Sequence, residues 1–174
     1  MVFKIFGVKI KIEYSFLLLI SFLLAFGAKD VLYVLLFASL HETGHLLLLY
    51  AVGGKAEKIT LSYYGIGLIH KSRLGKMREI IFLCGGCAVN LLFSLLNVKR
   101  EINLPLFLMN ILPIYPLDGG RILKLIFGFR EKPFRIVSAV FLFTLIAFSV
   151  YERSLNLILI SLYLAIFSFN EENK

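Results

Sequence analysis

Long apolar runs constrain this chain more than any other feature of its sequence. Runs of about 15 to 22 residues are separated by shorter polar stretches; they are Tyr14–Ala28, Val31–Val52, Ile80–Leu96, Ile102–Leu117, Ile136–Tyr151 and Leu155–Phe169. The sequence is 59% hydrophobic, against roughly 45–50% in soluble domains, and a soluble fold of 174 residues has too small an interior for these side chains. The runs predict an all-α, polytopic membrane protein with about six transmembrane helices.

Basic residues predict how these helices are oriented. If the N-terminus is cytoplasmic, 15 of the 19 lysine and arginine residues fall on the cytoplasmic side and 4 fall outside. This distribution follows the positive-inside rule, so we expect a multi-pass protein of the cell membrane with both termini in the cytoplasm. The net charge of +8 is then explained without a nucleic-acid partner, for which the sequence has no motif.

Two stretches between the apolar runs have the period of β-strands. Apolar side chains alternate with polar ones in residues 2–13 and in part of 56–70. Both stretches predict short strands that form a small β-sheet or re-entrant element at the cytoplasmic face. No linker or repeat interrupts the chain, which predicts one membrane-embedded domain over residues 1–174.

The second apolar run contains an H-E-x-x-H motif, His41-Glu42-Thr43-Gly44-His45. Residues four apart share one face of a helix, so His41 and His45 can bind one zinc ion while Glu42 reaches a water beside the metal. The alternative is a pair of packed histidines beside an incidental acid. Each ionisable residue in mid-membrane costs roughly 2.5–3.5 kcal/mol, so three within five positions require a reason. The motif predicts one zinc ion per chain.

A catalytic zinc ion usually has three protein ligands and a water, so one ligand is still missing. The chain contains two aspartates, of which Asp30 follows Lys29 in a predicted outer loop and is expected to be solvated. Asp118 follows the fourth apolar run on the predicted cytoplasmic side, among prolines and glycines that can bend the chain inward. We therefore predict Asp118 as the third ligand.

Three motifs in this order resemble the site-2 protease family of intramembrane zinc metalloproteases. After H-E-x-x-H come Gly86 and Asn90, four residues apart, and then N-x-x-P-x-x-x-L-D-G, which begins at Asn110 and includes Asp118. The resemblance implies a zinc metalloendopeptidase that cleaves a membrane-associated protein substrate, with Glu42 as the catalytic base. It also implies that Asn90 contacts the substrate or the oxyanion; an asparagine that only packs helices together is the alternative.

Within that family the chain resembles the subgroup of stage IV sporulation protein FB, which has no PDZ domain. Members of that subgroup often carry a C-terminal CBS domain, and neither domain is predicted in these 174 residues. The resemblance implies a substrate such as a sigma-factor precursor or another membrane-tethered regulator. It further implies a membrane partner that controls cleavage.

Two other classes of function compete with this interpretation. A catalytically silent relative that only binds clients would normally lack the glutamate or a ligand, and all four residues are present here. A zinc transporter or other metal-handling membrane protein usually shows internal repeats, which are absent. Outside the metal motif, Cys84 and Cys87 are expected to supply small residues for helix packing, and His70 is expected to be solvated.

Overall fold

The computed structural model describes residues 1–5, 7–25, 30–62, 65–128, 131–153, 158, 160–162 and 164–166. Along the chain the elements are β1 (Val2–Ile5), β2 (Val8–Ile12), α1 (Tyr14–Ala25), α2 (Val31–Ala51), β3 (Ala56–Ser62), β4 (Gly65–His70), α3 (Lys76–Leu95), α4 (Arg100–Ile111), α5 (Asp118–Ile126) and α6 (Glu131–Tyr151). The structure is mostly helical with one small sheet, as predicted. Its contacts cluster into two compact units, Met1–Phe107 and Leu108–Lys174, and the prediction of one domain stays a prediction.

Among the described residues, three helices are long and apolar enough to cross a membrane: α2, α3 and Pro133–Tyr151 of α6. They confirm the second, third and fifth predicted segments. Helix α1 is apolar but has 12 residues, fewer than the roughly 20 that a span needs. The predicted segment 155–169 lies largely outside the described residues. Six spans therefore remain a prediction.

The predicted fourth segment, Ile102–Leu117, differs from the structure. Helix α4 ends at Ile111, and residues 112–117 are not helical before α5 begins at Asp118. The reason is Pro113, because a residue that precedes proline is disfavoured in the helical conformation. The hydrophobic core of the second unit contains the buried side chains of Ile114, Leu142 and Leu164.

In the first unit, the two strand-like stretches form one four-stranded sheet in the order β1-β2-β3-β4. The outer pairs are antiparallel and the central pair, β2 with β3, is parallel. Because paired residues share a face, Lys4, Lys9 and Lys58 lie on one side of the sheet. The neighbouring residues Ile10 and Ile59 lie on the other. The alternation in the sequence is therefore confirmed as a two-sided sheet, which contacts α1 and α2.

Helices α2 and α3 make the most extensive helix-to-helix contact in the first unit. A Cβ atom placed on Gly44 would collide with the backbone carbonyl of Gly85, and a Cβ atom on Gly85 would collide with that of Gly44. Small residues at such crossings let two membrane helices approach to backbone contact. This crossing places the residues after Gly85 directly beside the H-E-x-x-H turn.

Candidate metal centre

Helix α2 carries both histidines of the motif on the face that it buries. His41 and His45 are 7% and 3% exposed, and their Nε2 atoms are 3.1 Å apart. Two nitrogen ligands of one tetrahedral zinc ion, each about 2.0–2.1 Å from the metal, lie roughly 3.3 Å from each other. The spacing of the two imidazoles therefore fits a shared zinc ion without a change of rotamer.

The carboxylate of Glu42 belongs to the same cluster. One ligand atom from each of His41, Glu42 and His45 can be chosen so that all lie within 4.8 Å of one another. In the part of the chain that the structure describes, no other group of three such side chains meets this condition. Glu42 is half-buried, whereas the two histidines are buried. The donor set of two imidazoles and a neighbouring carboxylate suits zinc.

The backbone of α3 determines which nitrogen of His45 faces the cluster. His45 Nδ1 lies 3.0 Å from the carbonyl oxygen of Phe82. Nδ1 also lies 3.4 Å from the backbone N–H of Gly86, a contact in which Nδ1 would accept. Because the carbonyl oxygen can only accept and its contact is the shorter of the two, the geometry favours the tautomer with the proton on Nδ1. In this tautomer the Nε2 lone pair faces His41 Nε2 and can bind a metal. A backbone carbonyl in this position is a common partner of metal-binding histidines.

The side chain of Asn90 contacts the other histidine. Asn90 is fully buried on α3, and its Nδ2 atom lies 3.1 Å from His41 Nδ1. Its Oδ1 atom is buried and has no hydrogen-bond partner among the described residues. A buried amide oxygen without a partner carries a desolvation cost of about 1–3 kcal/mol, so this arrangement requires an explanation.

Gly86 leaves the space that the two imidazoles occupy. A Cβ atom at this position would collide with His41 Nε2 and Cε1 and with His45 Nε2. The absence of a side chain at residue 86 is therefore a geometric requirement of the cluster. In the sequence, Gly86 is indicated only by the resemblance to the site-2 protease family. Its spacing from Asn90 does not reveal that it contacts α2.

Asp118, the predicted third ligand, lies in the second unit. It is buried at the first turn of α5, and its Oδ1 atom is 4.0 Å from Arg121 Nη1. The next two residues are glycines whose Cβ positions would collide with the backbone at residues 111–112 and 114–115, so the start of α5 packs tightly on the preceding segment. Its role as a ligand stays a prediction.

The expectation that His70 is solvated is wrong. The side chain is 11% exposed, its Nε2 atom is 3.3 Å from Glu79 Oε1, and its ring packs edge-to-face on Phe82 at a centroid distance of 4.9 Å. Strand β4 packs on α2, which brings its last residue against the start of α3. Sequence reasoning missed this contact because it depends on tertiary packing. Phe82 thus lies between His70 and His45, whose ring centroid is 5.4 Å from its own.

Buried histidines and an adjacent glutamate on a membrane-length helix define the class of membrane proteins with an H-E-x-x-H metal centre. The chain belongs to peptidase family M50, the family of the site-2 proteases, which matches residues 65–151, half of its length. A zinc metalloprotease of Methanocaldococcus jannaschii is 28% identical over 92% of this chain and 57% of its own. A relative from Synechocystis sp., whose name also describes a zinc metalloprotease, is 31% identical over 62% of this chain and 35% of its own.

The fold is also known from a solved structure. The site-2 protease from Methanocaldococcus jannaschii superimposes with a TM-score of 0.71 at 23% identity, covering 98% of this chain and 94% of that chain. The present chain therefore has the site-2 protease fold. It spans 57% and 35% of the length of the two relatives above.

Proposed function

We propose that this protein is a zinc-dependent endopeptidase that hydrolyses a peptide bond of a membrane-associated protein. The observation that carries the proposal is the 3.1 Å separation of the His41 and His45 Nε2 atoms, with the Glu42 carboxylate in the same cluster. His41 and His45 would hold one zinc ion, and Asp118 is the proposed third ligand. Membership of a peptidase family and two relatives named as zinc metalloproteases support this assignment.

The proposed reaction needs a metal ion and a side chain that transfers protons. When bound, zinc supplies a Lewis acid that polarises the scissile carbonyl and lowers the pKa of water at the site. Glu42 accepts the proton of the attacking water and passes it to the departing amine. Phe82 keeps the proton of His45 on Nδ1 by accepting its hydrogen bond, so that Nε2 remains a metal ligand.

Asn90 orients His41 in this proposal and does not contact the oxyanion. The oxygen and nitrogen of an amide occupy nearly the same space, so rotating the amide by 180° fits the same pocket. Oδ1 then accepts a hydrogen bond from His41 Nδ1 at the 3.1 Å contact, and the amide nitrogen takes the buried position that Oδ1 occupied. This rotation also leaves His41 Nε2 unprotonated toward the metal. Both ligand histidines are then held in the same tautomer by groups of α3.

Two substitutions at Asn90 separate this role from its alternatives. Asn90→Asp keeps an acceptor for His41, so we expect the zinc dissociation constant to stay within about threefold of the parent value. Asn90→Leu has similar volume but no acceptor, and it should weaken zinc binding by about 10–100-fold. Competition with a chromogenic chelator measures both constants. Unchanged zinc affinity in Asn90→Leu with impaired turnover would indicate an oxyanion or substrate contact; no change in either would indicate helix packing alone.

The proposed topology, substrate and regulating partner rest mainly on sequence patterns. The distribution of basic residues supports both termini in the cytoplasm, and the three membrane-length helices support a membrane location. The resemblance to the subgroup of stage IV sporulation protein FB implies a membrane-tethered regulator, such as a sigma-factor precursor, as the substrate. A second membrane protein would control when cleavage occurs.

Removal and return of the metal test the proposed activity. The full chain, purified in detergent, should contain one zinc ion per chain and cleave members of a panel of membrane-tethered regulators. A chelator should abolish cleavage, and added zinc should restore it, because water activation depends on the metal. Cleavage that persists after metal analysis shows less than a tenth of an equivalent of zinc would overturn the proposal. Zinc flux into liposomes in place of cleavage would assign the protein to the metal transporters.

A further inference from the structure

One face of the sheet carries like charges in register. Lys4 is the cross-strand partner of Lys9, and Lys9 is the partner of Lys58, so that three adjacent strands each contribute an ammonium group to one row. Like charges directly opposite one another destabilise a sheet. An anion bound beside this row would offset the repulsion between its ammonium groups.

Two lysines of this row, Lys4 and Lys9, border a cleft at the end of the sheet. Its volume is about 480 Å³, and its walls are formed by Lys4, Gly7, Lys9, Lys55, Ala56, Glu57, Lys71 and Ser72. Two of the wall residues are hydrogen-bonded, because the backbone N–H of Lys55 donates to Ser72 Oγ at 2.8 Å. This hydrogen bond joins the residue before β3 to the segment after β4 at one edge of the cleft.

Positive charge in this cleft exceeds the available negative charge. Its carboxylate, Glu57, already accepts a 2.6 Å hydrogen bond from Lys71. Among the described residues, Lys4, Lys9 and Lys55 form no ion pair. Glu13, the acid nearest the same face of β2, is paired with Lys11, whose hydrogen bond lowers the pKa of the Glu13 carboxyl. The ammonium groups of Lys4, Lys9 and Lys55 are therefore not neutralised by a carboxylate of the described residues.

The cleft lies next to the end of a membrane-length helix. Helix α2 ends at Ala51, and the wall residue Lys55 follows four positions later. A second cleft of about 470 Å³ shares Gly7, Lys55 and Ala56 with the first and is also lined by Tyr50, which is 47% exposed. Tyrosine and lysine beside the end of a spanning helix are typical of the headgroup layer. Lysines at that depth attract anionic lipids.

We propose that this lysine cleft binds the phosphate of an anionic phospholipid headgroup. Lys4, Lys9 and Lys55 neutralise the phosphate, while the neighbouring cleft beside Tyr50 takes the part of the lipid nearest the membrane. The site is separate from the H-E-x-x-H cluster and stands whether or not the protein is a protease. Its consequence is that the sheet is held against a charged membrane surface at the end of α2.

The test uses the full chain in nanodiscs of phosphatidylcholine with increasing fractions of phosphatidylglycerol, with native mass spectrometry to count retained lipids. The parent should retain one phosphatidylglycerol in preference to phosphatidylcholine. The triple variant Lys4→Gln, Lys9→Gln, Lys55→Gln should lose at least about tenfold in apparent affinity. The control removes the same charge from exposed residues outside the cleft, by Arg73→Gln, Lys76→Gln and Arg78→Gln, and should change the affinity less than threefold.

Two outcomes would overturn the proposal. Equal losses in the triple variant and its control would mean that lipid is attracted by overall charge and by no particular cleft. Inorganic phosphate that binds the detergent-solubilised parent as tightly as the lipid, and displaces it completely, would assign the cleft to a soluble anion. Circular dichroism of both variants establishes that the fold is retained in the comparison.

Discussion

Replacing Glu42 by glutamine should abolish peptide cleavage while the protein keeps its zinc. Glutamine has nearly the same shape as glutamate but cannot accept the proton of the attacking water. General base catalysis typically contributes 10²–10⁴-fold, so we expect turnover to fall by about 10³-fold. The histidine ligands are unchanged, and their Nδ1 partners lie on α3, at Phe82 and Asn90, so metal binding should persist. Single-turnover cleavage of a membrane-tethered substrate, together with metal analysis of the same sample, measures both quantities.

The matched control for this substitution is Glu101→Gln. Glu101 is an exposed carboxylate at the start of α4 and lies outside the metal cluster, so the same chemical change there should leave turnover within about twofold. More than a tenth of parental activity in Glu42→Gln would show that Glu42 is not the general base. Loss of zinc from this variant would instead make Glu42 a metal ligand, which its place in the cluster also allows.

Gly86→Ala should remove the metal by displacing its ligands. The added Cβ would overlap the Nε2 atoms of His41 and His45, so both imidazoles must move out of the position that gives their 3.1 Å spacing. Changes to groups that only support a metal ligand already cost 10–100-fold in affinity, and this change displaces two ligands directly. We therefore expect zinc binding to weaken by at least about 100-fold, measured by chelator competition.

Gly67→Ala provides the corresponding control. A Cβ atom at Gly67 meets nothing within 4 Å, and this glycine lies in β4, outside the cluster. Its zinc affinity should equal that of the parent. The helical circular dichroism of Gly86→Ala should also be retained, because the collision involves side-chain atoms at the ends of two rings. Zinc affinity in Gly86→Ala within threefold of the parent would show that the imidazoles bind metal in another arrangement.

The local features of this protein were predictable from short stretches of sequence. Residues 41–45 bring two imidazoles together because a helix repeats every 3.6 residues, and this spacing needs no information from elsewhere in the chain. Strand alternation and apolar length are local in the same way, which is why the sheet and the helices α2, α3 and α6 were found. The amphipathic helix α5 was missed because Arg121 and Lys124 interrupt its apolar residues over nine positions.

The chemistry of the metal site depends on contacts that are distant in sequence. His45 Nδ1 contacts the carbonyl oxygen of Phe82, 37 residues away, and His41 Nδ1 contacts Asn90, 49 residues away. No pattern within α2 indicates which nitrogen of each ring is left for the metal. The same is true of Gly86, whose importance follows from the collision that a side chain would cause.

The sequence by itself determined that this chain has helices of membrane length and carries two imidazoles one helical turn apart that could share a metal ion. Both properties follow from hydrophobicity and helical period, which act within a segment. Only the tertiary structure decided how those imidazoles are oriented and that a lysine row forms across three strands. These depend on the crossing of α2 with α3 and on the pairing of β2 with β3, and each brings together side chains that the chain itself separates by tens of residues.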